Sequence, residues 1–215
     1  MKKVTRMTDL VIYGMGGHAK VVADSASRMN QVKLKGFLSD LSSDYTKTIQ
    51  RLPCLNQDEN YKLPLTNSFI VAIGQTDIRV SVVQKMIELE YSPASVVDPN
   101  AVVSLSSKLG VGTYIGVSAV VNAGAEIGDH AIINTGAIVE HDCKIGDFSH
   151  LSPSVTLGGG VQVGSQTWVG LGASVRDGVT IGNNCIVGMG AVVLNDVPDR
   201  TVVVGVPAKK IRTSL

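Results

Sequence analysis

Glu140-His141-Asp142 is the segment of this chain best equipped for proton transfer. An imidazole titrates near neutrality, and a carboxylate beside it can raise its basicity or fix its tautomer. Eighteen residues after His141 comes the centre of Gly158-Gly159-Gly160, bare backbone that leaves room for a ligand. A base beside an exposed amide suits acyl transfer. The base deprotonates a nucleophile, and the Gly159 N–H steadies the oxyanion of a thioester. The same residues also fit a plainer pattern: two solvated polar side chains on a turn and a glycine bulge at a corner. His150 suits either a ligand or a backbone carbonyl, and His130 carries little signal. Offsets of 11 and 9 separate His130, His141 and His150, so they do not share one face and no metal site is expected.

A second segment with chemical potential is Gly14-Met15-Gly16-Gly17-His18. It lies between a strand predicted over 10–13 and a helix predicted over 19–29. Glycines at such a junction let a phosphate approach the amides of a helix N-terminus. Further strands are predicted over 33–38 and 69–73. The first ends at Ser39-Asp40, where an acid can meet a ribose or a base, and the second ends at Gly74. The glycine spacing is not that of a nicotinamide site, which favours a nucleotide without redox chemistry. A tight turn without a ligand is the alternative. A helix over 78–90 carries Val82, Val83, Met86 and Ile87 as its predicted buried stripe. Strand, helix, strand in this order implies a small Rossmann-like parallel sheet in an α/β domain over 1–92.

A different pattern must position His141. From Val97 to Val193, seventeen apolar residues recur every six positions without a miss. Chance gives this roughly once in a million at a fixed register. The residue four places after each is always small, and the next residue is Gly in nine of the seventeen. A period of six fits neither a helix nor a flat amphipathic strand. It is the signature of a parallel β-helix of hexapeptide repeats, here over 93–215, with about 18 residues per three-sided coil. His141 then points outward, Cys143 and Cys185 point inward, and Gly159 sits one coil beyond His141 on the same side.

Bulk properties narrow the function. Net charge is +1, which favours neither nucleic acid nor an anionic membrane. Only 17% of residues are charged, and mean hydropathy is +0.23, as in a chain that hides surface in an oligomer. Three cysteines argue against a disulfide framework. No stretch is long enough to span a bilayer, and the first residues reach glycines before a signal-peptide core forms. A cytoplasmic protein without membrane insertion is expected.

YGMGGHAKVV, GFLSD, VAIGQTDIR, INTGAIVEHDCKIGDFSHLSP and VVVGVPAKKI together resemble the bacterial sugar acetyltransferases of the sialic-acid-O-acetyltransferase and bacillosamine-N-acetyltransferase type. The resemblance spans nearly the whole chain. It implies that the β-helix is left-handed, against the usual right-handed crossover of parallel strands, and that it binds acetyl-CoA. It implies homotrimers with active sites between neighbouring subunits. Gly14, Gly16, Gly17, His18, Ser39, Asp40 and Gly74 would hold a nucleotide-linked sugar, with Asn134 near that sugar. His141 would be the general base and Asp142 its partner. His150, Gly159, Leu171 and Gly188 would contact acetyl-CoA. Many members have Glu in the place of Asp142, which shortens the reach to His141 here. The implied activity is N-acetylation of a UDP-, GDP- or dTDP-linked 4-amino-4,6-dideoxyhexose for a bacterial glycan or O-antigen. O-acetylation of a sialic acid or a related sugar is the alternative, and a non-catalytic scaffold or sugar-nucleotide sensor is a third possibility.

Overall fold

The computed structural model describes residues 7–41, 48–55 and 68–213. The chain divides into two units, Met1–Pro99 and Asn100–Leu215.

In the first unit, β1 (Thr8–Tyr13) leads through the glycines into α1 (Gly17–Arg28) and then β2 (Val32–Leu38). A small hairpin follows, β3 (Thr48–Ile49) and β4 (Leu52–Pro53). Next come β5 (Ser68–Val71), α2 (Thr76–Glu88) and β6 (Ser92–Pro93). The main sheet is parallel with strand order β2-β1-β5-β6. Leu10, Val11 and Ile12 of the central β1 are buried on both faces, as a run of consecutive apolar residues requires. Ala19, Val22, Ala23 and Ala26 form the buried stripe of α1. At the end of α1, Ser25 Oγ donates to Asp98 Oδ2 at 2.6 Å, and Arg28 reaches the same oxygen at 2.6 Å. On α2 the buried residues are Arg79, Val82, Val83 and Met86. Ile87 is half exposed rather than buried, because it lies beyond the edge of the stripe that Val82, Val83 and Met86 define.

In the second unit, two-residue strands recur every six residues. Up to Ser174–Val175, the strands of the coils pair in parallel with the strand 18 residues on: Ile133 with Leu151, Val139 with Leu157, Ile145 with Val163. Three columns of strands thus make three walls of a left-handed parallel β-helix. Ile133, Val139, Leu151, Leu157, Val169 and Ile181 are completely buried along its axis. Burying each such side chain contributes about 1.5–3 kcal/mol. Ala119, Ala137, Cys143, Ala173 and Cys185 occupy the small inward positions and are also buried. Val103 and Leu109 are only half buried, because their strands are stacked on one side alone. The offset shortens to 16 at Val187–Val203, and Lys209–Thr213 then turns back antiparallel.

The three outer walls differ. One carries Lys108, Glu126, Lys144, Gln162 and Thr180; a second carries Ile138, Thr156, Ser174 and Val192; the third carries Tyr114, Ile132, His150, Trp168 and Ile186. The corners explain the glycines. A Cβ on Gly164 would meet the Asn183 N of the next coil at 2.6 Å, closer than any real contact. One residue at each sharp corner takes a left-handed conformation, glycine at some corners and a residue with a side chain at others, among them Asp142 at φ +59° in the corner that carries His141.

Candidate active site

Val139 and Cys143 are anchored inside the prism, which forces Glu140, His141 and Asp142 outward at the corner between them. His141 is 64% exposed in its side chain, and its Nδ1 lies 2.9 Å from Asp142 Oδ2. The carboxylate accepts, so Nδ1 carries the proton and Nε2 is the acceptor of the neutral ring. The shorter Asp142 side chain therefore does reach its neighbour. That hydrogen bond, with the charges of Asp142, Glu140 and Asp177, raises the His141 pKa above the ordinary imidazole value.

Gly158-Gly159-Gly160 packs beneath this corner, one coil on. Gly160 N donates to His141 O at 2.8 Å. A Cβ on Gly159 would stand 2.6 Å from His141 Nε2 and 2.7 Å from Cε1. The imidazole therefore lies directly against the Gly159 backbone. At Gly158 a Cβ would meet the backbone N of Asp177 at 2.7 Å. Gly160 is in open space but has φ +67°. The three glycines thus serve three separate needs: clearance for Asp177, clearance for His141 and a left-handed turn.

The Gly159 amide itself differs from the expectation. Its N–H donates to Asp177 Oδ1 at 3.1 Å, so it is not bare. The cause is a corner motif repeated elsewhere on the prism. Asp129 Oδ1 accepts from Val111 N, Asp147 Oδ1 from Asp129 N, and Asn183 Oδ1 from Ser165 N, each at 2.8 Å. An Asp or Asn 18 residues after a corner residue caps that residue's N–H. The spacing of Gly159 and Asp177 carried this signal in the sequence.

The neighbouring corner of the same coil holds a second cluster. Asn134 Nδ2 and His150 Nε2 are 3.3 Å apart, and both side chains are buried. The His150 ring stacks on Trp168 with centroids 6.2 Å apart, and Trp168 Nε1 donates to Ser152 Oγ at 2.7 Å. Leu171 lies exposed two coils beyond Thr135 on that edge. Gly188 sits under the strand Thr201–Val204, where a Cβ would meet Val204 Cγ1 at 2.7 Å. His130 stacks on Phe148 instead of facing solvent. Among the described residues, no group of three or more His, Cys, Asp or Glu is arranged to hold a metal ion.

The first unit contains a cavity of about 670 Å³ at the carboxyl ends of its strands. Gly14, Gly16, Gly17, His18, Ser39, Asp40 and Gly74 all line it. Gly14 has φ +121° and lies against Ala72 O, so only glycine fits there. Gly16 and Gly17 open onto empty space at the N-terminus of α1, where backbone N–H groups and the helix dipole favour an anion. Burial, and then the Arg79 charge, push the His18 pKa down to about 4, so the ring is neutral at physiological pH. Arg79 was not singled out by the spacing. Its guanidinium is buried and donates to Ile73 O and Gly74 O at 2.9 Å each, fixing the loop that closes one side of the cavity. Burial lowers its pKa to about 10, which still leaves it charged. Asp40 receives Lys85 Nζ at 2.6 Å. Partial burial opposes ionisation of Asp40, but hydrogen bonds from Lys85 and Tyr13 outweigh it and hold the pKa below the ordinary carboxylate value.

Comparison with known proteins agrees with this two-part architecture. Residues 9–86 match the family described as PglD N-terminal domain, and residues 124–159 and 160–195 match bacterial transferase hexapeptide (six repeats). No curated protein matches. Among solved structures, a histidine-to-asparagine variant of perosamine N-acetyltransferase from Caulobacter crescentus, in complex with CoA and GDP-perosamine, is 38% identical. That match covers 95% of this chain and 97% of the other, with a TM-score of 0.87. The acetyltransferase domain of PglB from Neisseria gonorrhoeae FA1090, in complex with acetyl coenzyme A, is 33% identical. It covers 95% and 100% of the two chains, with a TM-score of 0.86. WeeI from Acinetobacter baumannii AYE shares the fold at 24% identity and a TM-score of 0.84 over 95% and 100%. Similarity of this extent across both units means that the chain belongs to the hexapeptide-repeat sugar acyltransferase family.

Proposed function

We propose that the protein transfers an acetyl group from acetyl-CoA to the amino group of a nucleotide-linked 4-amino-4,6-dideoxyhexose. One observation carries this reading: an exposed imidazole with Nδ1 tied to Asp142 and Nε2 lying against the Gly159 backbone. His141 Nε2 takes a proton from the sugar amine as the nitrogen attacks the thioester carbonyl. The new C–N bond forms, the C–S bond breaks, and the CoA thiolate leaves to be protonated. Asp142 holds the tautomer that leaves Nε2 as acceptor and favours the imidazolium that results. The Gly159 N–H is not assigned to the oxyanion, since Asp177 engages it.

Support for the nucleotide part comes from the first-unit cavity, with its helix N-terminus for phosphate and Ser39 and Asp40 at the far strand end. The related enzyme with GDP-perosamine and CoA supports the same pairing of substrates. Asn134 would approach the sugar, and His150, Leu171 and Gly188 the acetyl-CoA. His150 and Gly188 would do so through their strands and neighbours, because His150 is buried and Gly188 is covered by Val204.

The working form in this proposal is a cytoplasmic homotrimer that serves glycan or lipopolysaccharide synthesis, with active sites between neighbours. Leu105, Leu171, Met189 and Val206 are exposed apolar side chains on the second unit, which is in keeping with a subunit interface. No described helix is long and apolar enough to cross a membrane. Light scattering should give three times the 22.6 kDa chain mass. Thiol release from acetyl-CoA, assayed across UDP-, GDP- and dTDP-linked aminosugars, tests the activity. Release with at least one of them is expected; release with none overturns the proposal.

A further inference from the structure

We infer that Asp177 is a positioning residue for His141, acting through the Gly159 peptide. This rests on the reading of His141 as the base. Three contacts link the residues. His141 Nε2 and Cε1 lie against Gly159, close enough that a single Cβ there would collide at 2.6 Å. The Gly159 N–H donates to Asp177 Oδ1 at 3.1 Å. The Asp177 backbone presses on Gly158, where a Cβ would meet the Asp177 N and Cα at 2.7 and 3.0 Å. The surface beneath the reacting nitrogen is therefore a peptide whose plane a carboxylate on the following coil holds in place.

Two consequences separate this from an ordinary corner cap. The caps at Asp129, Asp147 and Asn183 hold peptides that line a different corner, whereas the peptide held by Asp177 carries the imidazole on its other side. The acidic groups facing the ring are Asp142 and Glu140 from its own corner and Asp177 from the next coil. Among the described residues, the charged groups that act on it are these three carboxylates. Asp177 thus contributes both geometry, through the amide, and charge, through its field on the imidazolium.

Two substitutions divide these roles. Asp177→Asn keeps an oxygen acceptor for the Gly159 N–H and removes the charge. Asp177→Ala removes both. The measurement is the pH profile of kcat and kcat/KM for acetyl transfer, with thermal melting as a check on folding. With Asp177→Asn, plateau kcat stays within about twofold of wild type, and the acidic limb moves to lower pH because the imidazolium loses a stabilising neighbour. With Asp177→Ala, plateau kcat falls about tenfold, the limb moves the same way, and KM for the nucleotide sugar is unchanged. A misaligned catalytic group costs up to about a hundredfold, and a partly loosened one should cost less. Wild-type kcat in Asp177→Ala, or an unmoved limb in Asp177→Asn, overturns the inference. So does equal loss of kcat in both variants. His141→Ala distinguishes the levels: if it stays active, the assignment of the base fails; if it is dead while both Asp177 variants behave as wild type, only the positioning role fails.

Discussion

Gly159→Ala should uncouple activity from stability. The backbone at Gly159 is not in the left-handed region, so alanine adopts it without strain. The added Cβ would stand 2.6 Å from His141 Nε2, whereas ordinary contact begins at 3.4 Å. The ring must therefore move by 3.4 − 2.6 = 0.8 Å or more. His141 is exposed and can swing into solvent, so folding is little affected. A surface change of this kind shifts stability by no more than about 0.5 kcal/mol, or about 2 °C in Tm for a chain of this size. A catalytic group displaced by about 1 Å costs on the order of a hundredfold in rate. Thiol release and melting, measured on one preparation, give both numbers. The expected result is a roughly hundredfold loss of kcat/KM with an unchanged Tm. Near-normal activity would show that the ring's place against Gly159 is irrelevant to catalysis. Gly160→Ala is the control: nothing lies near its Cβ, but φ is +67°. It should lose about 1–2 kcal/mol of stability and leave kcat nearly intact.

Further outcomes follow from the same geometry. His141→Ala should lower turnover by about 10²–10⁴-fold, seen as thiol release at saturating substrates. Asp142→Asn should cost less and move the acidic limb of kcat/KM to lower pH. The sign follows from the raised His141 pKa: the base is lost as pH falls through that value, and removing the carboxylate lowers it. Gly17→Leu should fill the open side of the first-unit cavity, raising KM for the nucleotide sugar while KM for acetyl-CoA and kcat stay near normal. Ile133→Ala, at a completely buried axial position, should destabilise by about 2–5 kcal/mol, read from denaturant unfolding.

Much of this architecture was legible because its repeat is strict. A six-residue period with a small residue at the fourth place after each apolar one leaves few other folds, and the 18-residue pairing of Val139 with Leu157 follows directly. The outward aim of His141 was readable from its place between the inward Val139 and Cys143. Its bond to Asp142 was readable as adjacency. The glycines of the first unit were legible because strand, glycine-rich turn and helix N-terminus occur together, and all seven expected residues line one cavity.

The misses have physical causes. Three successive glycines look like open backbone, but two of them are filled by side chains from other coils, His141 and Asp177. Such contacts join residues one coil apart and show in the sequence only when positions are compared 18 apart. His150 occupies an outward position yet is buried by stacking on Trp168. Alternation along a strand says which way a side chain points, not what covers it. Ile87 fitted a helical stripe but fell on its margin. Arg79 was invisible as a site residue because its role is to hold the carbonyls of Ile73 and Gly74 rather than to enter the cavity.

The most direct test of the central claim is to assay wild type and His141→Ala side by side with acetyl-CoA and a GDP-, UDP- or dTDP-linked 4-amino-4,6-dideoxyhexose. CoA thiol and N-acetylated sugar should be quantified in the same reaction. Equal amounts of both products from the wild type, with both nearly abolished in the variant, are predicted. Thiol release without N-acetylated sugar, or a variant that works as well as the wild type, would contradict the account.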